Sequence, residues 1–250
     1  MKIAISQPAY LPWLGYFDLI DQVDTFVLLD DVQFEKQSWQ QRNRIKTPSG
    51  LQWLTVPVLF NGRFGQLINQ VEIRDPEFSR NHLRAIELNY RRAPFFDQYF
   101  NGLSSLLDCT QKTLLVDLNV RLIDWLMGAL GIQTRLVVSS ALGQPGKRTE
   151  RLANICSALG ATQYLSPLGS AAYLLSEKEI LLDRGIEVVF HHYEHPQYRQ
   201  LFPPFCPQAS ILDLLFNHGP QALDILRSGR RTPFLPGEIS EPAPLEIARC

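Results

Sequence analysis

Short apolar runs alternate with helical patterns near both ends of the chain. The runs Lys2–Ser6 and Thr25–Leu29 flank a helical pattern over Leu14–Gln22, which predicts a right-handed βαβ unit with parallel strands. Three more strands are predicted further along, at Thr134–Val138, Thr162–Leu165 and Ile186–His191. About five parallel strands with helices between them predict an α/β fold with a Rossmann-like, mostly parallel sheet.

The middle of the chain has a different pattern. Leu51–Leu59 and Leu67–Arg74 are strand-like, and the turn signal Asn61-Gly62 between them predicts an inserted β-hairpin. Helical patterns follow at Glu77–Tyr90, Phe95–Leu107 and Leu114–Leu130. We therefore predict one α/β domain over residues 1–228, with the hairpin and helices inserted at about 51–130. Residues 229–250 are Pro-rich and polar, which predicts a disordered tail.

Charge and composition narrow the class of protein. The 24 Lys and Arg residues nearly balance 25 Asp and Glu residues, which argues against duplex nucleic acid as the main partner. No apolar run approaches the roughly 20 residues of a membrane span, and the first residues lack a signal-peptide pattern. The four cysteines form no CxxC pair, so we expect a reducing, cytoplasmic location and no zinc site.

Ligands of doubly wound folds bind outside the carboxyl ends of the strands, so the turns there are candidate sites. The first turn, Gln7–Trp13, combines prolines with large aromatic residues. We expect Gln7, Tyr10 and Trp13 to bind substrate; the alternative is a rigid prolyl turn whose aromatic rings are packed as core.

The residues that follow this turn resemble a known motif. Trp13-Leu14-Gly15-Tyr16 has the position and spacing of the H-x-G-H turn of the nucleotidyltransferase-like superfamily, but it has neither histidine. The resemblance therefore supports the architecture and not the chemistry. It leaves ATP with Mg²⁺ as a candidate cofactor, although the sequence contains no Walker motif and no adenylating signature.

A second candidate segment, Asp30–Lys46, is dense in hydrogen-bonding groups and aromatic rings. Arginine binds phosphates and carboxylates through two parallel hydrogen bonds, and carboxylates at a strand end can hold Mg²⁺ or ribose hydroxyls. The alternative is a solvated loop whose charges pair with one another. The predicted ligand-binding residues of this segment are Asp30, Asp31, Gln33, Lys36, Trp39, Arg42, Asn43, Arg44 and Lys46.

Two later turns complete the predicted site. Ser166, Gly169 and Ser170 join a strand to a helix and could cradle a phosphate, with Ser170 as the helix N-cap; this evidence is weak, and a plain turn is an equal alternative. In an extended strand His191 and His195 lie about 13 Å apart, too far to share a metal ion. We instead predict His195 as a general base, or otherwise a structural histidine. The residues expected to line the same cleft are Tyr193, Tyr198 and Gln200.

Six long segments of the chain form a recognisable set of motifs. They are QPAYLPWLGYFDLI from Gln7, LDDVQFEKQSWQQRNRIK from Leu29, LTVPV from Leu54, GATQYLSPLGSAAYL from Gly160, HPQYRQ from His195 and FCPQASILDLLFNHGP ending at Pro220. With these segments the chain resembles the WbqC-like family of bacterial proteins over about residues 1–226. The resemblance implies a role near surface-polysaccharide (O-antigen) biosynthesis, a part of lipopolysaccharide biosynthesis, alongside unusual amino sugars. It carries over no catalytic residue.

Together these interpretations give a leading hypothesis. The protein is a transferase or ligase that acylates the amine of a nucleotide-linked amino sugar. Arg42, Arg44 and Lys46 hold the diphosphate, aromatic rings stack on the base or sugar, and His195 or Asp31 takes the proton. The expected partner is a small-molecule nucleotide sugar, and a homodimer is a candidate assembly. The alternative is a non-enzymatic protein of the same pathway that binds a sugar nucleotide or a partner enzyme. An RNA-binding protein or nuclease fits less well, because the chain is not basic.

Overall fold

The computed structural model describes residues 1–108 and 113–239, and its β-strands form one sheet and one separate hairpin. The sheet has five parallel strands in the order β5-β2-β1-β6-β7, which confirms the predicted α/β class and all five predicted parallel strands. The described strands, in chain order, are β1 (Lys2–Ser6), β2 (Thr25–Leu28), β3 (Arg42–Thr47), β4 (Gly50–Thr55), β5 (Arg135–Val138), β6 (Gln163–Ser166) and β7 (Glu187–Phe190).

The helices agree closely with the apolar periodicity of the sequence. One predicted helix, Ala171–Arg184, is divided in two at Lys178. The described α-helices are α1 (Leu14–Asp21), α2 (Phe78–Tyr90), α3 (Phe96–Leu107), α4 (Leu115–Leu130), α5 (Ser139–Leu142), α6 (Arg148–Ala158), α7 (Ala171–Glu177), α8 (Glu179–Leu182), α9 (Ile211–His218) and α10 (Ala222–Ser228). In the described part of the chain, none of them combines the length and apolar character that a membrane crossing requires.

Alternating side chains pack the two faces of the sheet. Ala4 and Phe26 belong to a core shared with α1 to α4, α9 and α10. Ile3 and Val27, one residue away along the same strands, pack instead against α6, α7 and α8. This two-residue period buries both faces of a parallel sheet.

The strand order places a switch point between β1 and β6. The chain passes from β1 to β2 on one side of this point and from β6 to β7 on the other. Because the strands are parallel, the turn after Ser6 and the turn after Ser166 lie at the same edge of the sheet. The prediction that these two turns lie at one edge of the sheet is therefore confirmed; in folds of this class ligands bind at that edge, here named the ligand edge.

The inserted hairpin is present, but its strands differ from the predicted ones. β3 pairs with β4, with Arg44 opposite Trp53, and the chain reverses at Pro48-Ser49. The predicted pairing of residues 51–59 with 67–74 is formed only in part, as an antiparallel bridge between Val58 and Ile73. The Leu59 amide donates to the Glu72 carbonyl at 2.9 Å, and the Arg74 amide donates to the Pro57 carbonyl at 2.8 Å. The sequence RNRIK looks too polar for a buried strand, yet Asn43 to Thr47 are all buried. Tertiary hydrogen bonds of the Asn43 side chain and the Lys46 backbone amide compensate for part of this polarity.

The predicted tail begins with a segment that lies against the sheet. Residues 229–234 run antiparallel to residues 190–194. The amides of Phe190 and Phe234 each donate to the other's carbonyl, at 2.8 and 2.9 Å, and the Glu194 amide donates to the Gly229 carbonyl at 2.9 Å. The described body therefore extends beyond residue 228 to residue 239. The rest of the predicted tail lies outside the described residues.

Candidate functional site

The turn Gln7–Trp13 and the segment before β3 are joined by hydrogen bonds. The Asn43 Nδ2 group donates to the carbonyls of Tyr10, at 3.2 Å, and Leu11, at 2.7 Å. The Tyr10 amide donates to the Trp39 carbonyl at 2.9 Å. The two candidate segments thus meet at the ligand edge of the sheet. Asn43 is buried and holds the turn in place, which is a different position from the ligand contact predicted for it.

A second set of amides supports the same junction. Gln40 Nε2 donates to Gln7 Oε1 at 2.8 Å, so the half-buried Gln7 side chain is already oriented. The fully buried Asn119 of α4 donates to the Gln40 carbonyl at 2.8 Å and to the Pro8 carbonyl at 3.3 Å. The sequence analysis did not identify Gln40 or Asn119. The available signal was an asparagine within the apolar face of α4, where a polar side chain needs a partner.

Tyr10 lies beneath the turn and not on its surface. Its ring is fully buried, and its hydroxyl is 2.8 Å from Nδ1 of His82 on α2. Burial lowers the pKa of His82 to about 4. The imidazole is therefore neutral near pH 7 and acts as a core hydrogen-bonding group.

Two tryptophans and two arginines cluster on the hairpin and on the residues just before it; this cluster is here named the Trp-Arg surface (Trp39, Arg42, Arg44 and Trp53). Trp39 and Trp53 are 42% and 40% exposed, and their ring centroids are 5.5 Å apart. The Arg42 guanidinium lies 4.3 Å from the Trp53 ring centroid, and that of Arg44 lies 5.3 Å away. Arg44 is buried and also contacts Gln208 Oε1 at 3.4 Å. This surface adjoins the first turn through the Trp39 backbone.

Lys46 lies in the protein interior, away from this surface. Its side chain is 1% exposed, and among the described residues its Nζ atom has no hydrogen-bond partner. Its backbone amide donates to the Tyr90 hydroxyl at 2.8 Å. That hydroxyl donates to Asp213 Oδ1 at 3.0 Å, while Tyr198 and Gln200 donate to Asp213 Oδ2, each at 2.9 Å. Burial raises the pKa of Asp213, and these hydrogen bonds oppose the rise. Gln200 is thus part of a buried network.

An aromatic row leads from the first turn to the segment after β7. The Trp13 ring stacks against His195 at a centroid distance of 6.1 Å and meets the edge of Tyr193 at 5.7 Å. His195 also stacks on Tyr198 at 6.0 Å. The predicted residues Trp13, Tyr193, His195 and Tyr198 are therefore neighbours.

His195 has two nitrogens in different environments. Nδ1 is 2.9 Å from the Pro196 carbonyl, and a carbonyl only accepts, so Nδ1 carries the proton. Nε2 is enclosed and has no hydrogen-bond partner in the described part of the chain. Burial lowers the pKa of His195, which keeps the ring neutral. Nε2 can therefore accept a proton from a group that reaches it.

Asp30 and Asp31 are both engaged by side chains from beyond β5. The Ser140 amide and hydroxyl donate to the two oxygens of Asp30 at 2.9 and 2.7 Å. The Ser139 hydroxyl lies 2.5 Å from Asp31 Oδ1, and Arg151 forms an ion pair with Asp31 Oδ2. These oxygens do not fit a Mg²⁺ site, and no group of three His, Cys, Asp or Glu side chains among residues 1–108 and 113–239 could hold a metal ion.

A cavity of about 600 Å³ opens beside these carboxylates. Asp30 and Ser140 form one wall, and Asn69, Asp117 and Arg121 contribute further polar groups. This cavity lies at the carboxyl ends of β2 and β5, where the fold places ligands.

The remaining predicted residues are dispersed. Ser166 is buried at the end of β6, whereas Gly169 is exposed and Ser170 is half-buried at the ligand edge. The predicted N-cap hydrogen bond of Ser170 is not formed. Gln33 is exposed beside Leu67, and Lys36 lies 5.0 Å from the Phe60 ring centroid on the insertion.

A buried ion-pair cluster at the end of β7 was also missed. His191 Nε2 is 2.7 Å from Asp18 Oδ2, and Arg230 Nε donates to Asp18 Oδ1 at 2.9 Å. Asp18 is fully buried on α1. A carboxylate within the apolar sequence of α1 was the signal, because such a group requires partners. The cluster joins α1, β7 and the segment after α10.

Comparisons with known proteins identify relatives of this chain. The chain is 42% identical over 231 residues to "Uncharacterized protein Rv1507c" of Mycobacterium tuberculosis, an alignment that covers 92% of this chain and 99% of that protein. No solved structure matches at a significant level. Residues 7–225 match the WbqC-like protein family, so the chain belongs to that family, as its sequence motifs predicted.

Proposed function

We propose that this protein acylates the amine of a nucleotide-linked amino sugar. Family membership supports the coarser statement, a role in polysaccharide-related biosynthesis. The observation that carries the finer proposal is the Trp-Arg surface beside the ligand edge of the sheet. Exposed indole rings stack on bases and sugars, and guanidinium groups bind phosphates through charge-assisted hydrogen bonds. A nucleotide-linked sugar contains a base, sugar rings and a diphosphate, so it offers a partner to both the indole and the guanidinium groups.

The roles of the cations follow from their exposure. Arg42 is half-buried, and its guanidinium lies over an exposed indole ring. We assign the diphosphate to Arg42. Arg44 is buried and its guanidinium lies against both indole rings, so we assign it the role of positioning them. Lys46 is left out, because its ammonium group lies in the interior.

His195 is the proposed general base. The sugar amine attacks the carbonyl carbon of an activated acyl donor, a C–N bond forms, and the bond to the leaving group breaks. His195 Nε2 accepts the amine proton and returns it to the leaving group. The neutral ring, fixed by the Nδ1 hydrogen bond, suits this task. Asp31 is not assigned this role, because its carboxylate forms an ion pair with Arg151. No step is assigned to ATP or Mg²⁺.

The test is an acyl-transfer assay with purified protein, nucleotide-linked amino sugars and activated acyl donors, with mass spectrometry to detect the N-acylated sugar. His195→Gln should lower kcat at least about a hundredfold, since general-base catalysis contributes about 10²–10⁴-fold. His192→Gln is the matched control, because His192 packs on Phe234 outside the aromatic row. Tight binding of the sugar nucleotide without product from any donor class would contradict the proposal.

A second candidate function is supported by the same residues. His195 Nε2 is enclosed by aromatic rings, and Asp31 is held in an ion pair, so both predicted bases are covered. A binding protein of the same pathway that performs no chemistry would have this arrangement. The two functions differ in one measurement: a binding protein retains sugar-nucleotide affinity and forms no product.

A further inference from the structure

A cleft of about 570 Å³ lies next to the Trp-Arg surface, on the insertion and away from the sheet. Three cations from separate parts of the chain line it: Lys36, Arg63 and Arg74. Arg63 pairs with Glu72 at 2.7 Å. Within residues 1–108 and 113–239, Lys36 and Arg74 have no ion pair, and no carboxylate lines the cleft. The cleft therefore carries uncompensated positive charge.

The neutral groups of the cleft complement these cations. The side-chain amides of Gln37 and Asn61 line it, and neither makes a hydrogen bond to another described residue. Amide, ammonium and guanidinium groups all donate to anions. Like charges in one cleft repel each other, and a bound anion would relieve this repulsion. Phosphate oxygens, which accept several hydrogen bonds, match this set of donors.

Thr55 connects the cleft with the Trp-Arg surface. It lines the cleft and pairs in register with Arg42. Trp53 is two residues from Thr55 on β4, and side chains two apart project from the same face of a strand. Trp53 and the Arg42 guanidinium over its ring are therefore on the same face of the hairpin as Thr55. A phosphate group in the cleft would leave an attached planar base or sugar beside Trp53.

We infer that this cleft binds the diphosphate of a nucleoside diphosphate, with the base or sugar on Trp53. The inference rests on the proposed function for its substrate class and adds Lys36, Arg74, Gln37 and Asn61 to the phosphate contacts. The cleft volume is within the range of about 300–1,000 Å³ found for small-molecule sites. Arg42, which lies opposite Thr55 in the hairpin register, would share the phosphate contacts with those four residues.

Isothermal titration with two probes, UDP and inorganic pyrophosphate, tests the inference. Arg74→Ala and Lys36→Ala should each lower the affinity for both probes about tenfold or more, because each substitution removes a charge-assisted contact. Trp53→Ala should lower the affinity for UDP and leave the affinity for pyrophosphate unchanged. Arg80→Ala is the matched control, since Arg80 lies on α2 and contacts only Glu77 among the described acids. Melting temperatures of all variants check that the fold is retained.

Three results would overturn the inference: no binding of either probe at millimolar concentration, equal affinities in all variants, or losses with Arg80→Ala as large as with Arg74→Ala. The acyl-transfer assay separates this inference from the proposed function. If titration supports the cleft but no N-acylated sugar forms, only the function fails. If product forms with unchanged KM in Arg74→Ala and Lys36→Ala, only the cleft assignment fails.

Discussion

The central sheet and the insertion between β2 and β5 are held together by different interactions. The sheet buries apolar side chains on both faces, as Phe26 and Val27 show. The hairpin buries arginine, asparagine and lysine, and its stability depends on specific hydrogen bonds such as those of Asn43. The stability of the sheet therefore depends on apolar packing, whereas the stability of the insertion depends on individual polar residues and their hydrogen-bond partners.

A substitution in the core of the sheet should cause the largest loss of stability. Phe26→Ala should reduce the free energy of unfolding by about 3–5 kcal/mol, because it leaves a cavity in a close-packed core. Denaturant unfolding measures this change. Phe64→Ala is the matched control: Phe64 is 95% exposed, and we expect a change within about 0.5 kcal/mol. Similar losses in the two variants would contradict the assigned core.

Acid should destabilise the insertion through His82. Burial lowers the pKa of His82 from 6.5 to about 4 in the folded state. The unfolded chain therefore binds the proton more readily, and stability present above pH 6.5 is lost as the pH falls toward 4. The loss should reach about 3 kcal/mol, at 1.36 kcal/mol per pH unit between the two pKa values.

Unfolding curves from pH 7 to pH 4 measure this dependence. His82→Gln should be less stable at pH 7 and show a smaller loss on acidification. His192→Gln serves as the control, because His192 is partly exposed. If His82→Gln loses stability on acidification as much as the wild type does, a group other than His82 causes the acid destabilisation.

Asn43→Ala tests the polar partners of the insertion directly. It leaves the carbonyls of Tyr10 and Leu11 without their side-chain donor, and we expect a loss of about 1–3 kcal/mol. Thermal unfolding measures the loss, and Asn101→Ala on the exposed side of α3 provides the reference. If both variants melt together with the wild type, the junction contributes little to stability.

Arg42→Ala should have the smallest effect on stability, below about 1 kcal/mol, with at least a tenfold loss of UDP affinity. Arg44→Ala should also lower the melting temperature, because Arg44 is buried. Calorimetric melting and titration on the same samples separate the two effects. Unchanged affinity in both variants would remove the Trp-Arg surface from the site.

Short apolar runs that alternate with helical patterns were sufficient to predict the sheet. Five strands and most helices follow from them because apolar burial is local in sequence: β1, for example, is the apolar run that carries the buried Ile3 and Ile5. The resemblance to the WbqC-like family also followed from motifs that are contiguous along the chain.

The hairpin and the interior site residues were not predictable in this way. Lys46 is interior because Tyr90 and Asp213, far away in sequence, enclose it. Asp30 is engaged because Ser139 and Ser140, at the start of α5, donate hydrogen bonds to it. Such partners come from tertiary contacts, and a local pattern of polar residues does not distinguish a solvated side chain from one that is buried and hydrogen-bonded.

The strip of residues 229–234 beside β7 has a consequence for truncation. The sequence pattern would suggest ending the chain at residue 228, but this would remove Phe234 and leave the amide and carbonyl groups of Phe190, the last residue of β7, without their partners. An uncovered strand edge is a template for pairing with other chains. A protein that ends at residue 228 should therefore self-associate and precipitate, whereas one that ends at residue 239 should remain in solution. Residues 229–234 would thus protect the protein from aggregation.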